Sequence, residues 1–236
     1  MDDKSILSSV SLRENLFLKK VYMWMALGLA LTGIFAYAVA NSVALLNFFF
    51  SNSLVLLLLF VAEFAIVFVL SGRIERLSTG AAITCFFAYS AINGITLSSL
   101  FVIYAGTNIL SLSFFVAAFV FILASLYGAL TKKSIKGWGG WLSMSLLALV
   151  GISLVNLFLG SSRLDMIISC VGVLVFTLLT AWDSQKIISL NRDCGAYMTN
   201  EEMNKISILG ALELYLDFIN ILLYLIRIFS YSRRDN

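Results

Sequence analysis

Two aspartates lie in apolar parts of this chain, where a charged side chain is costly. Asp217 lies within the apolar stretch 206–228, and Asp183 lies near the end of the preceding apolar segment. On insertion scales, a charge at the centre of a membrane-spanning helix costs about 2.5–3.5 kcal/mol. Because a chain rarely carries that cost without a functional return, both aspartates are candidate functional residues.

A polar stripe surrounds Asp217 in the sequence. Its members advance in steps of three and four residues, which puts them on one face of a helix. Such a face must turn toward other helices or water rather than lipid. It could line a path for ions, or it could only hydrogen-bond to neighbouring helices. The stripe consists of Gly210, Glu213, Asp217, Asn220, Tyr224 and Arg227.

The two aspartates could approach each other if the segment that carries Asp183 extends inward or if water enters from the cytoplasm. From the cytoplasmic end of its segment, Asp217 is eleven residues away, which is roughly 16 Å along a helix. Two carboxylates in contact cannot both ionise cheaply, so they would titrate as a unit and form a proton-sensitive latch. The alternative is a solvated Asp183 at the membrane interface, capped by Lys186.

Further candidates accompany this pair. Glu63 lies in the middle of the second apolar segment and must also face inward; it could line a cation path or be a neutral acid bonded to a carbonyl or a serine. Arg73 or Arg76, at the end of that segment, could latch the aspartates or simply anchor the topology. Hard cations favour oxygen ligands, so Glu213 and Asn220 are also candidates for an ion path.

Composition excludes several classes of function. The chain has 236 residues, of which 61% are hydrophobic and 12% charged, against about 25% charged residues in soluble domains. A net charge of +3 gives no argument for nucleic acid. Histidine is absent and the three cysteines are widely spaced, which argues against histidine metal sites, Ser-His-Asp catalysis and a zinc site. We expect no enzyme and no resident cofactor.

Seven apolar segments of about 20 residues predict an all-α polytopic membrane protein with seven transmembrane helices. One membrane domain at 21–228 is expected between a cytoplasmic N-terminal tail at 1–20 and a C-terminal tail at 229–236. The first segment is interpreted as a retained anchor rather than a cleaved signal, and the longest loop is expected at 187–205. The segments are 21–40, 54–72, 81–104, 110–130, 141–160, 166–186 and 206–228.

Lysine and arginine predict the orientation, because they are enriched in cytoplasmic loops. Twelve fall on the side of the N-terminus and one, Arg163, falls on the other, so the N-terminus is predicted to be cytoplasmic. Seven full crossings leave Arg227, Arg233 and Arg234 outside, whereas a re-entrant last segment would return them to the cytoplasm. The twelve are Lys4, Arg13, Lys19, Lys20, Arg73, Arg76, Lys132, Lys133, Lys136, Lys186, Arg192 and Lys205.

Nearly end to end, the chain resembles the Bax inhibitor family, which comprises the transmembrane Bax inhibitor motif proteins and their bacterial relatives. The most specific motif is Leu214-Tyr215-Leu216-Asp217-Phe218-Ile219-Asn220. Further matching segments are Phe17-Leu18-Lys19-Lys20-Val21-Tyr22, Trp24-Met25-Ala26-Leu27-Gly28, Asn93-Gly94-Ile95-Thr96-Leu97-Ser98, Thr131-Lys132-Lys133 and Trp182-Asp183-Ser184-Gln185-Lys186-Ile187.

This resemblance implies six helices in two three-helix layers around a central C-terminal helix. It also implies a pH-sensitive calcium leak gated by Asp183 and Asp217, with an arginine partner from the end of segment two. Two positions depart from the family pattern: Trp182 stands where Tyr or Phe is common, and Glu213 adds a carboxylate one turn before Asp217.

The sequence therefore predicts a multi-pass protein of the inner (plasma) membrane that passes Ca²⁺ down its gradient. Asp183 and Asp217 would bind the ion transiently, and the expected partners are the lipid bilayer and calcium ions. A non-conducting regulator or scaffold for other membrane proteins is the alternative. An intramembrane aspartyl protease is disfavoured, because Leu214-Tyr215-Leu216 stands where Gly-x-Gly precedes its second aspartate.

Overall fold

A computed structural model describes residues 3–131, 133–194 and 198–234, and within these ranges it shows helices and no strands. Side chains are described from Leu16 to Arg192 apart from Lys132, and from Met198 to Arg233. Lys132, and with it the middle of one family motif, lies outside the described residues, as do the last two residues of the predicted C-terminal tail.

Eight α-helices and two short 3₁₀ turns make up the described chain. The helices are α1 Asp3–Ala40, α2 Val43–Phe50, α3 Ser53–Arg73, α4 Thr79–Ile103, α5 Ile109–Leu130, α6 Gly139–Leu159, α7 Ser162–Cys194 and α8 Asn200–Arg234, and the 3₁₀ turns are Ile74–Arg76 and Lys136–Trp138.

Polar caps begin α3 and α4, and a glycine ends α6, in a chain that contains no proline. Asn52 accepts a hydrogen bond from the N–H of Leu54 at 2.9 Å, and Ser78 accepts one from Ala81 at 3.2 Å. Such caps satisfy backbone donors that the first helical turn leaves unpaired. Gly160 ends α6 at a φ of 62°, a left-handed conformation that glycine adopts without steric cost.

Seven of the helices are long and apolar enough to cross a bilayer, which confirms the predicted all-α fold with seven membrane spans. The additional helix, α2, was not predicted. It has eight residues, or about 12 Å of helix, too few to cross a membrane. It lies between Asn41–Ser42 and Ser51–Asn52, whose polar side chains favour turns and helix caps and make 41–52 read as a loop. The arrangement of the spans in two layers stays a prediction.

The predicted loop at 187–205 is wrong over most of its length. Helix α7 continues to Cys194, and α8 begins at Asn200. A capping box explains the early start of α8: Thr199 N–H donates to the Glu202 carboxylate at 2.8 Å, and Glu202 N–H donates to the Thr199 hydroxyl at 3.2 Å. Both helices thus extend beyond their apolar segments, so hydropathy alone could not show their ends.

The chain divides into two compact units. Unit one comprises Met1–Gly106 and Leu190–Tyr215. Within it, α1 packs closely on α4 at two glycines. A Cβ on Gly28 would lie 2.6 Å from the ring of Phe86, and one on Gly94 would lie 2.5 Å from the carbonyl oxygen of Thr32. Small residues of this kind let membrane helices approach closely.

Unit two comprises Thr107–Ser189 and Leu216–Asn236. Aromatic side chains join α5 to α8 within it: the rings of Phe114 and Phe121 both lie 5.7 Å from that of Phe218 in edge-on contact. Gly128 on α5 lies against the backbone of Ala181 on α7, where a side chain would not fit. The parts of α7 and α8 next to the two candidate aspartates therefore pack against α5.

Candidate functional site

Contacts within unit two define how α7 lies beside α8. The ring of Tyr224 lies 5.9 Å from that of Phe176 and covers Gly172, where a Cβ would come within 2.6 Å of it. Farther along, the Arg227 guanidinium lies 3.4 Å from the Asp165 carboxylate. Residue numbers fall along α7 as they rise along α8, so the two helices are antiparallel.

This register brings the predicted aspartates to the same level. Asp183 follows Phe176 by seven residues, and Asp217 precedes Tyr224 by seven. Seven residues are about two helical turns, so each aspartate shares a face with the aromatic residue that contacts the other helix. Asp183 and Asp217 thus occupy facing positions on α7 and α8, about 10 Å along the helices from the aromatic contact.

Both aspartates are buried, with 7% of Asp183 and 4% of Asp217 exposed. Lys186 lies one turn from Asp183, and its ammonium is 3.8 Å from the carboxylate. The contact matches the expected cap, but Asp183 is buried rather than solvated. Beside it, the Ser184 hydroxyl donates to that of Ser125 on α5 at 3.0 Å. A buried carboxylate is little screened by water, so charged and hydrogen-bonding neighbours strongly affect its charge.

Two aromatic rings lie along α7 and α8 between the level of the aspartates and the Asp165–Arg227 pair. Phe176 is buried, its ring contacts that of Tyr224, and the Arg227 guanidinium lies 5.7 Å from the centre of the Tyr224 ring. Beyond these rings the Asp165–Arg227 pair is about half exposed. Packed aromatic rings next to buried acids can help to exclude water.

The other predicted residues occupy varied environments. In unit one, the Thr96 hydroxyl lies 2.9 Å from the Glu63 carboxylate and from the Asn93 carbonyl oxygen. Because that carbonyl can only accept, Thr96 can donate its single proton there and accept one from a neutral Glu63. The contact therefore fits the predicted alternative, a protonated glutamic acid. It also fits a Thr96 proton that is shared between the Glu63 carboxylate and the Asn93 carbonyl oxygen.

Other members of the predicted ion path and latch show no such convergence. Glu213 is partly buried, and the Asn220 amide donates to the Leu216 carbonyl of its own helix at 2.8 Å. Arg73 and Arg76 belong to unit one and are exposed, and within the part of the chain that the structure describes neither has an ion pair. Their role as a latch stays a prediction.

Sequence reasoning missed a buried polar cluster in unit one. Tyr215 is fully buried. Its hydroxyl lies 2.6 Å from that of Thr32 and donates to the Asn93 side chain at 3.2 Å. Thr32 in turn lies 2.9 Å from the Ser90 carbonyl oxygen. A tyrosine inside a membrane segment signals such a cluster, because a buried phenol needs a hydrogen-bond partner.

Comparison with known proteins decides the family. The family described as inhibitor of apoptosis-promoting Bax1 matches residues 14–234, which include α7, both aspartates and all of α8. The chain belongs to the Bax inhibitor family. The resemblance predicted from the motifs is thereby confirmed.

Bacterial members of the Bax inhibitor family are similar over nearly the whole chain. Inner membrane protein YbhL of Escherichia coli K12 is 43% identical over 217 residues, which cover 92% of each chain. An uncharacterized protein of Borreliella burgdorferi is 37% identical over 94% of each chain. One of Deinococcus radiodurans is 41% identical over 90% of this chain and 89% of its own. Together with the seven spans, they establish a multi-pass membrane protein.

Proposed function

We propose that this Bax inhibitor family protein is a pH-sensitive cation leak of the inner membrane that passes Ca²⁺ down its gradient. Asp183 and Asp217 form the gate. One observation carries the proposal: the contacts between α7 and α8 indicate that two buried carboxylates occupy the same level, beside the Phe176–Tyr224 ring contact.

Proton binding changes the charge of such a pair in single steps. With one proton, the two carboxylates can share a hydrogen bond, and the pair carries one negative charge. Losing that proton removes the hydrogen bond, and gaining a second proton removes the negative charge. Either change alters both the attraction between α7 and α8 and the attraction of cations. Ca²⁺ favours carboxylate oxygens, and transient binding at the pair lets the ion leave again.

The finer assignments belong to the same proposal. Glu63, Glu213 and Asn220 are candidate oxygen ligands along the path, and Arg73 or Arg76 is the candidate latch that holds the pair ionised. The N-terminus lies in the cytoplasm, as the distribution of lysine and arginine indicates. The name of the Escherichia coli relative supports an inner-membrane location.

Calcium entry into liposomes that hold only this protein tests the proposal. We expect flux through the wild type to vary with pH, and Asp217→Asn to remove that variation because the pair can no longer exchange a proton. Asp165→Asn is the matched control: it removes a half-exposed carboxylate from α7 and should leave the pH profile unchanged. A wild-type profile retained by Asp217→Asn would refute the gate.

A non-conducting regulator is the second candidate, and the use of the polar stripe favours it. Tyr224 packs on Gly172, Asn220 bonds to its own helix, and Arg227 pairs with Asp165. Half of the stripe therefore makes contacts that join or brace helices, as a non-conducting protein would require. Liposomes that stay tight to Ca²⁺ at every pH would support this candidate over the leak.

A further inference from the structure

In the connection between α5 and α6, residues 133–135 are attached to α7 by the side chain of Gln185. The Gln185 amide nitrogen donates to the Lys133 carbonyl oxygen at 2.9 Å, and the amide oxygen accepts from Ile135 N–H at 2.8 Å. Ile135 is buried with Ala124 and Ala181. The backbone next to Lys133 is therefore held in place.

Trp182 makes a second attachment beside the first. Its indole N–H donates to the Lys136 carbonyl oxygen at 3.4 Å. A Cβ on Gly139 would come within 2.6 Å of its ring, so the start of α6 lies directly on it. On α7, the Lys186 ammonium lies 5.2 Å from the centre of the same ring. Lys133, Lys136 and Lys186 thus surround one pair of anchoring side chains.

This cluster of three lysines is strongly basic. Lys133 and Lys136 are exposed, and 42% of the Lys186 side chain is exposed. The sequence has no acidic residue between Glu75 and Asp165, so neither α5, α6 nor their connection contributes a carboxylate. Asp183, which pairs with Lys186, is buried on the α7 side. The exposed charge is accordingly positive.

Tryptophans place the cluster at the depth of lipid headgroups. Trp138 and Trp141, at the start of α6, are 42% and 77% exposed. Exposed tryptophans at the ends of membrane helices lie at the boundary between acyl chains and headgroups. Lysines at this depth extend their ammonium groups toward the phosphate layer.

We infer that Lys133, Lys136 and Lys186 form a binding site for the phosphate of an anionic phospholipid headgroup. Basic pockets between membrane helices on the cytoplasmic side bind such headgroups. Here Gln185 and Trp182 hold the backbone in advance, so binding needs to order only the lysine side chains. The site does not depend on whether the protein conducts ions.

Tryptophan fluorescence tests the site, because Trp138, Trp141 and Trp182 lie at it. The full-length protein with Trp24→Phe, which leaves these three as reporters, is placed in phosphatidylcholine liposomes. Quenching by phosphatidylglycerol with brominated acyl chains is compared with quenching by brominated phosphatidylcholine. We expect clearly stronger quenching by the anionic lipid, since each lysine near an anionic headgroup contributes about a fivefold change in binding.

Charge variants separate this site from general attraction. K133Q/K136Q should lose most of the preference, whereas K133R/K136R should keep it. The matched control R73Q/R76Q removes two exposed charges from the α3–α4 connection and should also keep it. Equal quenching by both lipids in the wild type, or equal loss in both glutamine variants, overturns the proposal. If millimolar inorganic phosphate abolishes the preference, the site takes a soluble anion and not a lipid.

Discussion

At the scale of single residues, position along α7 and α8 matters more than residue type. Asp165, Asp183 and Asp217 are all aspartates in these helices, yet Asp165 is half exposed at a helix end and the other two are buried. Only the buried two occupy facing levels that the Phe176–Tyr224 contact defines. A shared proton is thus expected for Asp183 and Asp217 alone.

Coupling between the two aspartates can be measured directly. We expect Asp183→Asn and Asp217→Asn to change the pH profile of Ca²⁺ flux in the same way, and the double variant to add little. Residues that act as a unit are non-additive, because the first substitution already removes the shared function. Flux in liposomes, measured for all four proteins across one pH range, provides the comparison. Clearly additive shifts would show that the aspartates titrate independently.

The Tyr215 hydroxyl is expected to stabilise unit one. Tyr215→Phe keeps the ring but removes the buried hydroxyl that contacts Thr32 and donates to Asn93, at a cost of about 1–3 kcal/mol. A lower midpoint of thermal unfolding of the purified protein is the expected result. Tyr37→Phe is the control. Tyr37 is 64% exposed, so the hydroxyl that this variant loses contacts solvent or headgroups. Equal unfolding midpoints for both variants would show that the Tyr215 hydroxyl does not stabilise unit one.

At the scale of helices, close packing of α1 on α4 depends on glycine. A Cβ on Gly94 would lie 2.5 Å from the Thr32 carbonyl oxygen. Gly94→Ala must therefore separate the helices or shift the backbone, which costs about 1–3 kcal/mol in a packed core. Gly33→Ala is the matched control, since nothing lies within 4 Å of its Cβ position. The midpoint temperature of thermal unfolding should be lowered for Gly94→Ala and unchanged for Gly33→Ala.

Sequence patterns predicted the membrane spans because hydropathy and length directly report burial in a bilayer. They failed where helix capping, helix length or contacts between helices decide the structure. The Thr199–Glu202 capping box starts α8 before its apolar stretch, and α2 is too short to give a membrane signal. Both aspartates were identified from the cost of burying a charge, and the family resemblance implied that they form a pair. The residues alone could not fix their common level, because it depends on Tyr224 fitting over Gly172 on another helix.

At the scale of the whole molecule, an odd number of crossings separates the two termini. The described residues contain seven candidate spans, and the last, Asn200–Arg233, has 34 residues. At 1.5 Å per residue this is about 50 Å of helix, longer than the roughly 30 Å hydrocarbon core. A continuous α8 therefore favours a full crossing over a re-entrant segment, and we expect the C-terminus on the side opposite the N-terminus, which is predicted to be cytoplasmic.

A cysteine added after Asn236 tests this topology in intact cells. With the three native cysteines replaced by serine, an impermeant thiol reagent should label it from outside. Glu75→Cys, in the turn after α3, should label only after the membrane is opened, whereas Asn108→Cys, before α5, should label from outside. These controls lie on opposite predicted sides and are both exposed. If the C-terminal cysteine, like Glu75→Cys, labels only after the membrane is opened, then α8 returns to the cytoplasm despite its length.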